Sequence, residues 1–129
     1  MTTPYLCILI AALLPYAWVT IAKASGDKYD NRDPRGWLAQ QDNARSHRAN
    51  AAQLNGFETF PAFAASVLMA QFAGVAHGTI TWLAIGFVVF RVLHGLFYIG
   101  NRPQMRSLAW FLGLFCVLGL MGMAIAKVA

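Results

Sequence analysis

Charge is confined to a few short places in this chain, and nothing limits its fold more. No Asp, Glu, Lys or Arg occurs from Met1 to Ala22, from Thr59 to Phe90, or from Ser107 to Ala126. A helix needs about 20 predominantly apolar residues to cross the hydrocarbon core of a bilayer, so the first and last gaps fit one crossing each. The middle gap is too long for one crossing. It contains "GVAHG" (Gly74 to Gly78), a glycine-flanked turn signal that divides it into two helices extending outward to about Ala49 and Gly100. The expected fold is all-α: an integral membrane four-helix bundle, one domain of 129 residues, with helices near 4–24, 47–74, 79–100 and 105–127. With 58% of residues hydrophobic and 12% charged, the balance is far from that of a soluble globular domain.

The one long polar segment, residues 25–46, is rich in Asp, Asn, Pro and Gly, which favour turns and irregular backbone. Lys23, Lys28, Arg32, Arg35, Arg45 and Arg48 lie in or beside it, Arg102 and Arg106 flank the third loop, and the second loop has no basic residue. Lys and Arg are retained on the cytoplasmic side, which puts loops one and three there and both termini on the other side, with Lys127 the one mild objection. The net charge of +5 is therefore a topological signal facing anionic headgroups, and nucleic-acid binding is not expected. "AKAS" after the first apolar run resembles a signal-peptidase site. The first five residues carry no Lys or Arg, however, and the run exceeds an ordinary signal core, so an uncleaved membrane helix is expected. Cys7 and Cys116 fall inside expected helices, far from any metal-like spacing, and read as apolar filler.

Ionisable side chains inside membrane segments are costly and normally face a bundle interior or an aqueous cavity. Here they form three stripes. The second span brings Arg48, Asn55 and Glu58, which lie within about 80° of Arg48 around a helix. The third brings Arg91, His94 and Tyr98; the fourth begins with Arg106, Ser107 and Trp110. Each has a plainer reading: Arg48 and Arg106 as snorkelling anchors, Tyr98 and Trp110 as members of an interfacial aromatic belt, Glu58 and Arg91 as an ion pair between helices, Pro61 as a local bend. Taken together, all three stripes lie at the cytoplasmic ends of their helices, and a polar cavity opening on that side is the simplest common cause. Several arginines with one carboxylate suit a small anionic ligand that carries carboxylates and an amine, Glu58 taking the ammonium. No thiol nucleophile, Ser-His-Asp set, metal cluster or phosphate loop stands in the chain, so any reactive atom comes with a cofactor.

"RANAAQLNGFE" resembles the R-A-x-x-A-x-x-N-x-x-E signature of the family of membrane-associated proteins in eicosanoid and glutathione metabolism, here Arg48, Ala49, Ala52, Asn55 and Glu58. "RVLHGLFYIGNRPQMRSLAW" is similar to the same family's second signature. The resemblance implies a homotrimer of four-helix membrane subunits with glutathione bound between neighbours on the cytoplasmic side. It places Arg48, Asn55 and Glu58 on the glutathione backbone and Arg91, His94, Tyr98 and Trp110 around the same pocket. Arg106 matches the arginine that stabilises the glutathione thiolate, and Ser107 a neighbouring hydroxyl proposed for that task in prostaglandin-forming members. It further implies lipophilic electrophiles or lipid hydroperoxides as acceptors, drawn from the bilayer, and a bacterial branch, hence an inner-membrane protein.

The departures from the family pattern define the rival. Ala51 stands where eukaryotic transferases of the family have a further arginine, Trp110 where the prostaglandin synthase has a tyrosine, and Thr59 where the leukotriene-forming member has one. A glutathione-dependent transferase or peroxidase accords with the set Asn55, Glu58, Tyr98 and Arg106; a non-catalytic lipid-binding or scaffold protein accords with the loss at Ala51. A proton-coupled drug exporter would need a carboxylate in the first helix, which has none.

Overall fold

Turn chemistry sets the helix ends. In the computed structural model, which describes residues 1–129, the chain forms α1 (Thr2–Ala24), α2 (Pro34–Gln40), α3 (Ala44–Phe72), α4 (His77–Ile99) and α5 (Pro103–Val128), with no strand. Asn43 caps α3 by accepting the Ser46 N–H at 2.9 Å. The C-terminus of α3 closes on Gly74 at φ 78°, with the Val75 and Gly74 amides returning to the Ala70 and Gln71 carbonyls, the paired bonds of a Schellman motif. The end of α4 repeats this with Asn101 at φ 58°, and Pro103 then opens α5 at its first position.

The first loop, expected to be irregular, contains α2. Asp33 accepts the Gly36 N–H at 3.1 Å and Pro34 occupies the first helical position, a cap-and-proline start that favours a helix even in polar sequence. Trp37 anchors it: the indole donates to the Lys28 carbonyl at 2.9 Å and meets Tyr29 edge-on. Ser46 and Gln41 fasten the loop's far end, with Ser46 Oγ donating to the Ala22 carbonyl at the end of α1 and Gln41 Nε2 donating to Ser46 Oγ, each at 2.6 Å. Outside the bundle, hydrogen bonds from Arg32 hold the Asp30 carboxyl below the usual carboxylate range.

Helices α3 and α4 form the central pair; α1 packs against both on one side and α5 against both on the other. Lipid tails are as apolar as leucine, so helices associate in a bilayer through close packing. Ala49, Ala52 and Gly56 recur on one face of α3 and admit α1: the two alanines are fully buried, and a Cβ on Gly56 would stand 2.9 Å from Pro15 Cγ. On α4 the admitting residue is Gly95, whose Cβ would overlap the Trp18 indole. At the other end of the bundle Phe63 and Phe87 stack with centroids 3.9 Å apart, among Val67, Ile80, Val117 and Leu120. Cys7 and Cys116 are unpaired and buried in this core.

Three helices, α1, α4 and α5, are long and apolar enough to cross a membrane. Large apolar side chains such as Leu9, Leu13, Trp82, Phe111, Phe115 and Ile125 point outward, an exposure that water would penalise. The longest helix, α3, differs because Arg45, His47, Arg48, Asn50, Asn55 and Glu58 crowd its first half. Gly95→Ala is expected to destabilise the bundle by about 1–3 kcal/mol through overpacking. Gly122→Ala, whose added methyl meets nothing within 4 Å, should match or slightly exceed the parent; thermal melts in mild detergent compare the two.

Candidate functional site

The start of α3, the end of α4 and the start of α5 meet at one end of the bundle, and their polar stripes turn toward each other there. Asn55, His94, Tyr98, Arg106, Ser107 and Trp110 line one cavity of about 240 Å³, with Phe111 as a seventh wall. Glu58 and Arg91 line a second cavity of about 200 Å³ with Thr59, Phe87, Gly113, Leu114 and Val117. Trp110 borders both. Of the nine residues that the sequence singles out, Arg48 alone lines neither. Its Nε donates to the Ile99 carbonyl at 3.0 Å.

The ion pair that is the plainer reading of Glu58 and Arg91 does not form; Arg32 with Asp30 is the only pair within 4 Å in the chain. Asn55 stands between them instead. Arg91, 4% exposed, donates through Nη2 to Asn55 Oδ1 at 2.8 Å, and Asn55 Nδ2 points to Glu58 Oε2 at 3.5 Å. A neutral amide lets the guanidinium keep a strong acceptor while the carboxylate stays at the exposed edge of its cavity, which avoids desolvating both charges at once.

On the α4–α5 side the arrangement is cationic and aromatic. The Arg106 guanidinium lies 4.5 Å from the Tyr98 ring centroid, a cation–π distance, and the same ring meets His94 edge-on at 5.6 Å. Arg106 has no carboxylate within 4 Å. His94 is 3% exposed, and its Nδ1 is buried with no hydrogen-bond partner, an unsatisfied state that a native interior rarely keeps without a ligand or water. An unpaired guanidinium, a hydroxyl at Ser107 and an amide at Asn55 make a donor set for an anion with several oxygens. The second cavity offers one carboxylate at a largely apolar wall.

The residues that the sequence reading missed lie mainly on α5. Gly113, Leu114 and Val117 follow Trp110 at spacings of three, four and seven, so they share its face. That periodicity was available in the sequence, but in a helix apolar all round it does not stand out.

These features define an integral membrane protein, all-helical, with a polar site at one end of the bundle. The family comparison is specific: the sequence model of the MAPEG family matches residues 3–126, and the chain belongs to that family. A search among curated proteins finds no match.

Because Asn55 is the partner of Arg91, Asn55→Leu should destabilise the protein by about 1–3 kcal/mol, the cost of an unsatisfied buried polar group. Glu58→Gln should leave the melting temperature nearly unchanged. Equal losses in the two variants would show that Glu58 supports Arg91 directly.

Proposed function

We propose that the protein is a glutathione-dependent transferase or peroxidase acting on lipophilic electrophiles or hydroperoxides. The observation that carries this reading is the half-buried Arg106 guanidinium, held over Tyr98 at 4.5 Å and free of any carboxylate, in a cavity that also presents Ser107, His94 and Asn55. Glutathione would supply the thiol that adds to an electrophilic carbon or reduces a hydroperoxide. Arg106 favours the anionic form of that sulfur, since a thiol is a nucleophile as its thiolate and an adjacent cation lowers its pKa. Glu58 takes the ammonium, and the two guanidiniums of Arg91 and Arg106 outweigh that one carboxylate, which suits a ligand of net negative charge. Ala62, Phe87, Leu114 and Val117 on the adjoining cavity support an apolar acceptor.

Residue-level support extends to topology. The site-bearing end carries nine of the ten Lys and Arg residues and the opposite end only Lys127, an asymmetry that supports a cytoplasmic site, termini on the other side and α3 as a fourth crossing. We read the subunit as one of three in a homotrimer in a bacterial inner membrane; two arginines beside one carboxylate leave charge for a neighbour or ligand to share. A periplasm-dependent reporter fused after Ala129 should be active, and crosslinking in mild detergent should end at trimers. A silent fusion or a persistent monomer would count against those assignments.

Arg106→Ala tests the chemistry. Glutathione binding measured by titration calorimetry should stay within a few-fold, the thiolate absorbance of the bound complex should require a pH higher by about one unit or more, and turnover should fall about a hundredfold. A wild type that binds glutathione without thiolate absorbance, or binds none, would favour the lipid-binding scaffold, to which the missing arginine at Ala51 already points.

A further inference from the structure

We infer that Arg48 is a positioning residue that clamps the α4–α5 turn and so keeps Tyr98 and Arg106 in their stacked arrangement, rather than a contact for the ligand. The role of Arg106 in this rests on the function proposed above; the clamp itself does not.

The argument starts from the carbonyls at the end of α4, which have no partner within the helix. Backbone amides take three of them: Gly100 N–H bonds the Leu96 carbonyl at 2.9 Å, Arg102 N–H that of Phe97 at 2.8 Å, and Asn101 N–H that of Tyr98 at 3.2 Å. This Schellman closure leaves the carbonyl of Ile99. At the end of α3 the same closure leaves the carbonyl of Phe72, a residue 89% exposed, and no side chain meets it. Ile99 is 8% exposed and packs with Trp18, Ala22, Ala49 and Ala52, so its carbonyl needs a partner from the protein. Arg48 supplies it from α3 at 3.0 Å, and a charged donor makes the bond stronger than a neutral one.

The position of that bond gives it leverage. Ile99 is next to Tyr98, and only three residues, Gly100 to Arg102, separate it from Pro103 at the start of α5. Arg106 lies in the first turn of α5 and folds back over the Tyr98 ring. Its cavity is shared with Tyr98 and His94 from α4, Asn55 from α3, and Ser107, Trp110 and Phe111 from α5, of which the Tyr98 ring is its recorded contact; no carboxylate fixes it. Its placement therefore depends on where the turn holds Tyr98 relative to the start of α5, and Arg48 is the side chain that ties this turn to α3.

The test uses Arg48→Lys and Arg48→Gln in the full chain in detergent. The first readout needs no glutathione: the fluorine NMR resonance of fluorotyrosine placed at position 98, with Arg106→Ala giving the position of a ring without its cation. Arg48→Gln should move the resonance at least halfway to that reference. Arg48→Lys, which retains a charged donor, should move it less. A resonance unmoved in both overturns the inference whatever happens with glutathione. The second readout is the thiolate titration in the bound complex, expected to rise by about one pH unit in Arg48→Gln, a tenfold change in equilibrium. The KM for glutathione should stay within about threefold, with kcat reduced about tenfold. A large rise in KM with an unshifted titration makes Arg48 a ligand contact and also overturns the inference. If the wild type forms no thiolate, the proposed function fails and the fluorine measurement alone decides; if Arg48→Gln does not fold, Arg48→Lys decides.

Discussion

Helices surrounded by lipid gain little by hiding leucine from leucine, so this bundle has to be held by how closely its backbones approach and by the few polar bonds between them. Ala49, Ala52 and Gly56 on α3 and Gly95 on α4 allow that approach, and Trp18 and Pro15 of α1 fill the space they leave. The site depends on this arrangement from behind. Gly95 directly follows His94 in α4, so the Trp18 indole seated on it helps to fix the rotation of the helix segment that aims His94, Arg91 and Tyr98 into the bundle. A helix that turned by one residue would take its stripe about 100° off the cavity.

Within that frame the site divides its charges. Arg91 is deep and bonded to Asn55, Arg106 is half-buried and stacked on Tyr98, and Arg48 is engaged with backbone. Three arginines that look alike in sequence thus carry three tasks, set by what each meets: an amide, a ring and a carbonyl. Arginine suits all three because its guanidinium stays charged and presents several donors on a plane. Of the three, Arg106 alone makes no side-chain hydrogen bond within the chain, which leaves its whole fork of donors for something outside it.

Much of this was legible in the sequence because membrane segments allow few polar residues, so each one carries information. The charge-free gaps marked α1, the later half of α3, α4 and α5, and the stripes at 55, 94, 98, 106, 107 and 110 meet in one cavity. What stayed hidden depended on partners brought by tertiary structure. Opposite signs suggested an ion pair between Glu58 and Arg91, while spacing alone cannot say that Asn55 reaches Arg91 first. Arg48 shares a helix face with Asn55, and only the position of the α4 terminus sends its side chain elsewhere. The α2 helix was readable after all in "DPRGW", but the density of turn residues around it masked the cap.

The depth of Arg91 also bears on how such a chain enters a bilayer. It lies eight residues before the end of α4, about 12 Å along the axis, where a guanidinium on a lone span costs roughly 2.5–3.5 kcal/mol on insertion scales. Its acceptor is carried by α3, which precedes α4 in the chain and is therefore synthesised first. The amide of Asn55 thus offsets the cost of burying that guanidinium, which ties the depth of Arg91 in α4 to the packing of α3 against it.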